Sequence, residues 1–277
     1  MVPLIHGWLD CVNLVAGTSA GGLLALGIAY GIDPTTIQHL LEEKANWIVN
    51  GSWLDDLSNP GTLTESGDEA DAFQGKLKKI FGTATLSDAG KHVLIPSFEW
   101  DGKGFWKPKL FNNFPGPDSD GDAFAYKVGA YVSAAPTLFL SAEGDIDSGV
   151  FSANPNICAI GQAQYHKQCS VEEMALLSFE TRCISIIGGA GKKFRLGYLE
   201  SEAWTEPCID GVLEEFAEIA NFQSNQILGS RYQRLAPGSA AVMEFQADGI
   251  DKVSCLVKIA MDHDISPTVQ WIDNNWL

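Results

Sequence analysis

A serine in the pentapeptide Gly17-Thr18-Ser19-Ala20-Gly21 is the residue of this chain best placed to act as a nucleophile. The mostly apolar run from Asp10 to Ala16 predicts a buried strand before it. The run from Leu23 to Ala29 predicts a helix that is apolar on nearly every side. A G-x-S-x-G motif between a strand and a helix is typical of a nucleophile elbow, a sharp turn that lifts the serine hydroxyl out of the sheet edge. The sequence therefore predicts Ser19 as a catalytic nucleophile.

The same turn offers a binding position for negative charge. The amide of Ala20 opens the predicted helix, where free N–H groups and the helix dipole favour an anion. An ester carbonyl oxygen becomes negative when a nucleophile attacks it, so the Ala20 N–H is the predicted first donor of an oxyanion hole. The alternative is a glycine-rich turn without chemical role, because the chain contains 28 glycines and the motif also arises by chance.

A serine nucleophile needs a nearby base, because its alkoxide does not form near neutral pH unaided. Of the five histidines, His263 is the best candidate for a Ser-Asp-His triad, since Asp262 and Asp264 flank it. However, an α/β-hydrolase with such a triad builds several strands before its nucleophile. Ser19 comes too early in the chain for that arrangement, so a base other than histidine is the favoured interpretation.

Three short segments follow one another along the first part of the chain. They are Ala16-Gly17-Thr18-Ser19-Ala20-Gly21-Gly22, Ser133-Ala134-Ala135-Pro136-Thr137-Leu138-Phe139, and Asp147-Ser148-Gly149-Val150 with Ala153-Asn154-Pro155. In these segments, within residues 8–160, the chain resembles the patatin-like phospholipases. The resemblance implies a three-layer α/β fold with a central, mostly parallel or mixed sheet between helices, as one domain over residues 1–277. It also implies a Ser-Asp dyad that requires neither a metal nor an organic cofactor.

By this resemblance Ser19 is the nucleophile and Asp147 the general base. The implied reaction is hydrolysis of lipid or simple carboxylic esters through an acyl-serine intermediate, in which the same carboxylate later activates water. A carboxylate partly removed from water binds a proton more tightly, which makes it a better base. Asp145 competes for this role and is interpreted as a turn residue or helper. Candidate residues for an acyl-chain groove, with ordinary core as the alternative, are Trp100, Phe105, Trp106 and Phe139.

Two positions depart from the family pattern. Ser148 stands where the family has glycine after the aspartate, and a positive φ there would carry a steric cost. The glycine-rich loop that supplies oxyanion donors in the family has no counterpart among the residues before Ser19. Loss of one oxyanion donor costs roughly 100- to 1,000-fold in rate. A non-catalytic lipid-binding or storage protein with the same fold is therefore the alternative to an enzyme, and the second oxyanion donor is not assigned.

Composition and spacing oppose several other functions. The net charge of −17 opposes binding to nucleic acid and electrostatic binding to anionic lipid, but it leaves transient contact with a neutral membrane or micelle open. The six cysteines include no C-x-x-C pair, which opposes a zinc ribbon. The acidic residues of the 112–122 loop lack the glycine and glutamate positions of an EF-hand. An aspartic protease needs two Asp-Ser/Thr-Gly motifs, and the chain has one.

The remaining predictions concern location and secondary structure. No basic leader and no run of 18 apolar residues occurs, so we expect a cytoplasmic protein without a membrane span. The sequence does not indicate an oligomeric state. Predicted elements are a helix that starts near Pro34, a loop over 55–75, a short basic helix over 75–81, a strand over 92–98, and a strand and tight turn over 183–193.

Overall fold

A mixed β-sheet with helices packed against it contains the strand that leads to Ser19. The computed structural model describes residues 7–50, 66–100, 106–133, 145–147, 154–180, 217–237 and 252–276. By its contacts the chain divides into two compact units, one of Leu9–Ser170 and one of Met1–Trp8 with Val171–Leu277. The interpretation of residues 1–277 as one domain remains a prediction.

The unit Leu9–Ser170 contains four strands and five helices among its described residues. In chain order they are β1 (Leu14–Ala16), α1 (Ala20–Ala29), α2 (Pro34–Asn50), α3 (Ser66–Phe81), β2 (His92–Trp100), β3 (Trp106–Asn112), α4 (Ala125–Ser133), β4 (Asp145–Asp147) and α5 (Asn156–Tyr165). Short 3-10 turns at Trp8–Cys11 and Leu86–Asp88 precede β1 and β2.

Strand β2 is the centre of this sheet. It pairs in parallel with β1 and antiparallel with both β3 and β4. Val93, Leu94 and Ile95 are completely buried in succession, which is the pattern of a strand covered on both faces. The α/β class is therefore confirmed, and the described sheet is of the mixed kind.

Helices α1 and α4 contact each other, and both contact β2. Their shared core includes Leu23 and Leu26 from α1 and Val128 and Val132 from α4, all with no exposed surface. Farther out, α2 contacts α1 and α3 contacts α4. The helix that follows the nucleophile is thus anchored by apolar contacts along its length.

The C-terminal end of α1 is anchored by Tyr30. Its hydroxyl donates a hydrogen bond to the carbonyl of Thr85. Burial of the ring and the nearby Asp88 carboxylate raise the pKa of Tyr30 to about 12. The phenol therefore remains a neutral donor throughout the physiological pH range.

Strand β1 is shorter than the sequence predicts. Strand β1 begins only at Leu14, and the residues up to Cys11 form a 3-10 turn, whereas the Asn13 carbonyl accepts a hydrogen bond from the His92 amide (2.9 Å). The ammonium of Lys91 donates to the carbonyls of Leu9 (2.6 Å) and Val12 (3.1 Å), so a side chain satisfies these oxygens in place of a strand. The predicted strand over 92–98 is confirmed and extends to Trp100.

The two helices that follow α1 confirm one prediction from the sequence and contradict another. Helix α2 begins at Pro34, and Asp33 caps it by accepting a hydrogen bond from the Thr35 amide (2.8 Å). By contrast, the predicted loop over 55–75 is wrong from residue 66 onward, since α3 spans Ser66–Phe81. Its first turns are polar, but Phe73 and Leu77 on one face are buried against the core. Packing therefore extends the helix where composition indicates a loop.

The second unit contains a small parallel sheet and three helices among its described residues. They are β5 (Leu176–Phe179), α6 (residues 217–228), β6 (Tyr232–Leu235), α7 (Lys252–Asp262) and α8 (Ser266–Asn275). Arg234 on β6 forms ion pairs with Glu218 of α6 and with Glu180, which directly follows β5. Its burial lowers the pKa of the Arg234 guanidinium. The strand and turn predicted over 183–193 lie outside the described residues.

None of the helices that the structure describes combines the length and the apolar character that crossing a bilayer requires.

Candidate active site

The predicted turn from strand to helix is present at Ser19. β1 ends at Ala16, and the Gly17 amide continues the sheet pairing with a 3.2 Å bond to the Leu94 carbonyl. Two residues later Ser19 occupies the N-cap position of α1, which begins at Ala20. The nucleophile-elbow interpretation of the motif is therefore supported by the backbone.

Ser19 has a backbone conformation that L-residues avoid. Its φ is 53° and its ψ is −123°. Lys167 shares the positive φ, but it directly follows the C-cap of α5, where left-handed residues are common. At the start of a helix such strain has no capping role, and the Ser19 side chain does not cap α1. Strain of about 1–3 kcal/mol at a single residue is characteristic of functional sites.

Two glycines make the elbow sterically possible. A Cβ on Gly17 would lie 2.0 Å from the carbonyl oxygen of Gly21, so the turn of α1 over Gly17 requires glycine there. A Cβ on Gly22 would lie 3.0 Å from Val132 and 3.1 Å from the Gly17 oxygen. A Cβ on Gly21, the last residue of the motif, would meet no atom within 4 Å. The close approach thus requires Gly17, the first glycine of the motif, and Gly22, which follows the motif, but not Gly21.

The strain at Ser19 predicts a difference between two inactive variants. Both Ser19→Ala and Ser19→Gly remove the hydroxyl, but only glycine adopts a φ of 53° without strain. Relief of about 1–3 kcal/mol outweighs the added unfolded-state entropy of glycine, about 0.5–1 kcal/mol. We expect Ser19→Gly to have a free energy of unfolding about 1 kcal/mol higher in urea titrations. Equal stability of the two variants would show that the elbow is unstrained.

Asp147 is the last residue of β4 and lies next to β2. The register pairs Ser97 with Asp147 and Glu99 with Asp145, and β4 runs antiparallel to β2. β3 pairs with the same stretch of β2, so β4 must occupy the opposite edge. The Leu94 position of β2 likewise pairs with both β3 and β1. Strands β1 and β4 therefore share one edge of β2.

This shared edge brings the backbones of the two candidate residues toward each other. β1 runs parallel to β2 and ends at Ala16, which pairs with Leu94. β4 runs in the opposite direction along the same edge and ends at Asp147, which pairs with Ser97. The ends of β1 and β4 are therefore separated by three residues of β2, which is about 10 Å along the strand. The elbow residues Gly17 to Ser19 leave β1 at this gap. Asp145 lies two residues farther from the gap, which favours Asp147 over Asp145 as the partner of Ser19.

Several other candidate residues lie partly or wholly outside the described residues. The backbones of Trp100 and Trp106 are paired across the β2–β3 hairpin, but their side chains are not described. The positions of Phe105, Phe139 and Ser148 lie outside the described residues, so the interpretations of these residues remain predictions. Asn154, in the family-like Asn-Pro segment, accepts a hydrogen bond from the Asn156 amide (3.0 Å) and so starts α5.

An apolar exposed strip lies beside the elbow, and it is a feature that the sequence did not indicate. Ala20, Gly21 and Leu24 are the exposed residues of α1, whose other apolar residues are buried or half-buried. Leu24 is 39% exposed. Side chains on a helix lean toward its N-terminus, so Leu24 covers the turn that contains Ala20. The Ala20 amide donates to no backbone carbonyl among the described residues.

The described histidines of the first unit are engaged in other contacts. His92 and His166 both stack on the buried ring of Phe114, with centroid distances of 4.5 Å and 4.6 Å. His39 lies on the surface of α2, 3.4 Å from Glu42. His263, the triad candidate, lies in the second unit between α7 and α8.

The acidic loop over 112–122 is organised by protein groups. Asp120 forms an ion pair with Lys109 and accepts a hydrogen bond from the Asn112 amide (3.1 Å). The described residues contain no cluster of three or more His, Cys, Asp or Glu side chains that could hold a metal ion. The loop therefore has a structural explanation that needs no cation.

Comparison with known proteins decides the family. The model of the patatin-like phospholipases matches residues 4–157, more than half of the chain, and this range contains both Ser19 and Asp147. The chain belongs to the patatin-like phospholipase family. Membership of this family identifies the protein as a lipid acyl hydrolase, with lipid as the substrate class.

Three relatives extend this comparison. A cGAMP-activated phospholipase of Pseudomonas aeruginosa is 25% identical over 251 residues, covering 87% of this chain and 73% of the relative. One of the same description from Escherichia coli is 25% identical over 211 residues, covering 72% and 57%. Protein teg of Priestia megaterium is 21% identical over 301 aligned positions, covering 95% and 88%. The similarity thus extends beyond the residues that the family model matches.

Proposed function

We propose that this patatin-like protein hydrolyses lipid acyl esters with a Ser19–Asp147 dyad and an acyl-serine intermediate. Asp147 takes the Ser19 proton as the hydroxyl oxygen attacks the ester carbonyl. The tetrahedral intermediate collapses with loss of the alcohol, which receives that proton. Asp147 then deprotonates a water molecule, whose oxygen attacks the acyl carbonyl. The bond to the Ser19 oxygen breaks, the fatty acid leaves, and Asp147 returns the proton to Ser19.

The observation that carries this proposal is the strained elbow at the gap between β1 and β4. The positive φ of Ser19 is maintained at an energetic cost. The register of β4 brings the Asp147 backbone to the same edge of β2. A protein that only stores or binds lipid would gain nothing from this strain, so the elbow favours an enzyme over the non-catalytic alternative.

The surface next to Ser19 supports a substrate with an apolar acyl chain. Leu24 and Ala20 place aliphatic surface beside the elbow. The Ala20 amide, at the positive end of the α1 dipole, is the proposed first oxyanion donor. The second oxyanion donor is not assigned.

A reactive phosphonate tests the acyl-serine step directly. We expect a fluorophosphonate to add to Ser19 with one-to-one stoichiometry, measured by intact mass and peptide mapping. Labelling should be lost in Ser19→Ala. In a crystal structure of the adduct, the Ala20 N–H should lie within hydrogen-bond distance of the phosphonyl oxygen.

The number of hydrogen-bond donors to the phosphonyl oxygen in this adduct predicts the turnover rate of the enzyme. A single donor implies turnover about 100-fold or more below that of a family member with a complete oxyanion hole. Two donors would show that a second group of the protein completes the oxyanion hole. An adduct on a different residue, or no adduct with folded protein, would refute Ser19 as the nucleophile.

A further inference from the structure

The central strand β2 carries a hydroxyl group in an otherwise apolar buried stretch. Ser97 has no exposed surface, like Val93, Leu94 and Ile95 before it. Removing a hydroxyl from water is unfavourable unless it makes a hydrogen bond, so buried hydroxyls in proteins are generally hydrogen-bonded. The position of Ser97 therefore requires a partner, and the strand pairing indicates which group it is.

Ser97 lies on the face of the sheet that α1 and α4 cover. Val93 and Ile95 belong to the same core cluster as the buried apolar residues of these two helices. Side chains alternate along a strand, so Ser97 shares the face of Val93 and Ile95. It is three residues beyond Leu94, with which the last residue of β1 pairs before the elbow at Ser19. Ser97 therefore lies under the helices at the end of the sheet where the elbow leaves β1.

Two residues lie directly opposite Ser97, one on each neighbouring antiparallel strand. They are Asp147 on β4 and Lys109 on β3. Directly opposite residues of an antiparallel pair share one face of the sheet, with their Cβ atoms about 4.5–5.5 Å apart. A serine hydroxyl and a carboxylate can form a hydrogen bond across that distance. The register thus places a buried hydroxyl opposite the proposed general base.

Of these two neighbours, Asp147 is the one that can accept a hydrogen bond. The ammonium of Lys109 is a donor without acceptor capacity. It forms an ion pair with Asp120 and lies 5.1 Å from the centre of the Phe111 ring. An ionised carboxylate, by contrast, only accepts hydrogen bonds. A hydroxyl donor at Ser97 therefore matches the carboxylate of Asp147.

The next pair along the same two strands gives Asp145 a different surrounding. The register places Asp145 opposite Glu99, and Glu99 pairs on its other side with Lys107. Like charges directly opposite each other are destabilising, and an ionised Glu99 offers no donor to Asp145. A general base must be ionised and held in one orientation, and the hydroxyl opposite Asp147 favours both. The pairing thus distinguishes Asp147 from Asp145.

We infer that Ser97 is a positioning residue whose hydroxyl donates a hydrogen bond to the Asp147 carboxylate. The donor fixes one carboxylate oxygen and leaves the other for proton transfer with the Ser19 hydroxyl, which requires hydrogen-bond distance between them. Ser97 is completely buried, so it acts on the reaction through Asp147 and not through the substrate. This inference rests on the proposed function, because the orientation of Asp147 affects the rate only if Asp147 is the base.

A pair of variants of nearly equal shape tests the role of the hydroxyl. Ser97→Thr keeps it and Ser97→Val removes it, while both add the same volume to the core. We expect kcat on a short p-nitrophenyl ester to be about 10- to 100-fold lower for Ser97→Val than for Ser97→Thr, with equal KM. Ser97→Ala, which adds no volume, should show a similar loss. The matched control is Ser178→Ala, which changes a buried serine of β5 in the second unit and should leave kcat unchanged.

The pH profile separates positioning from packing. A hydrogen bond donated to a carboxylate favours its ionised form, so a base that loses this bond binds its proton more tightly. The acidic limb of the kcat/KM profile should therefore move to higher pH by about one unit in Ser97→Val relative to Ser97→Thr. Neither variant changes the charged residues nearest by register, Glu99, Asp145 and Lys109, or Lys127 of α4. A loss of packing alone would lower the rate without moving the limb.

A double-mutant cycle shows whether Ser97 acts through Asp147. In the Asp147→Asn background, Ser97→Val and Ser97→Thr should have equal kcat, because the base is already lost. Circular dichroism melting of each variant verifies that the compared proteins are folded.

Three outcomes would overturn the inference while the dyad stands. They are equal kcat of Ser97→Val and Ser97→Thr in the unchanged background, an acidic limb that does not move, and losses that add to that of Asp147→Asn. Full activity of Asp147→Asn would instead refute the dyad and the inference with it. Impaired activity of Asp147→Asn together with full activity of Ser97→Ala would refute the inference alone.

Discussion

Ser19→Ala is expected to lower ester hydrolysis by about 10,000-fold or more, because it removes the hydroxyl that forms the acyl intermediate. Asp147→Asn is expected to lower it by about 100- to 10,000-fold, the range for loss of a general base. An asparagine has nearly the shape of aspartate but cannot accept the Ser19 proton. The measurement is kcat/KM on a short p-nitrophenyl ester, together with a melting curve for each variant.

Two control variants make this result specific. Asp145→Asn changes the same kind of side chain in the same strand, two residues farther from the elbow by register, and should retain activity within a few-fold. His263→Ala should also remain active. Loss of turnover in His263→Ala with retention in Asp147→Asn would replace the dyad by a histidine triad. Loss in Asp145→Asn alone would transfer the role of base to that residue.

Gly17→Ala is expected to abolish most activity by displacing the elbow. Its Cβ would lie 2.0 Å and 2.2 Å from the carbonyl oxygen and carbon of Gly21, and 2.6 Å from the Gly22 nitrogen. All three contacts are with the backbone of the first turn of α1, so no side-chain rotation can relieve them. Overpacking of this kind costs about 1–3 kcal/mol of stability. A displacement of about 1 Å at the nucleophile can cost roughly 100-fold in rate.

Gly21→Ala is the matched control, because it makes the same substitution in the same motif. A Cβ at Gly21 meets no atom within 4 Å, and the residue lies in the first turn of α1. Alanine there should keep kcat within a few-fold and raise the free energy of unfolding by up to about 1 kcal/mol. Urea titrations and initial rates measure both effects. Similar activity of Gly17→Ala and Gly21→Ala would contradict the steric account of the elbow.

Local sequence was sufficient for the elbow and its flanking elements. The apolar residues before Gly17 and after Gly21 predict a strand and a helix, and both are present. The order of the family-like segments indicated the α/β class that the fold and the family model confirm. Such features depend on neighbours in the chain, which the sequence displays directly.

Errors arose where distant groups decide the local structure. The residues up to Cys11 form a 3-10 turn instead of a strand, and Lys91, about 80 residues later, donates to the carbonyls of Leu9 and Val12. Residues 66–74 are helical although polar, since Phe73 and Leu77 find a core to pack against. A short stretch of sequence shows neither the distant Lys91 nor the core around Phe73 and Leu77. The pattern of apolar residues alone therefore could not predict the short strand β1 or the long helix α3.

The chain's own residue types determined the candidate chemistry: a serine in a turn between strand and helix, and an aspartate in a family-like segment. The tertiary structure determined the strand register and the backbone conformation at Ser19, which no sequence motif specifies. The strand register that brings β1 and β4 to one edge of β2 depends on hydrogen bonds between distant residues, which are 78 positions apart for β1 and β2 and 46 to 50 apart for β2 and β4. Likewise the positive φ of Ser19 and the need for glycine at Gly17 arise because the first turn of α1 lies directly against the backbone of Gly17. Sequence specifies which groups are available, whereas three-dimensional packing decides which of them meet.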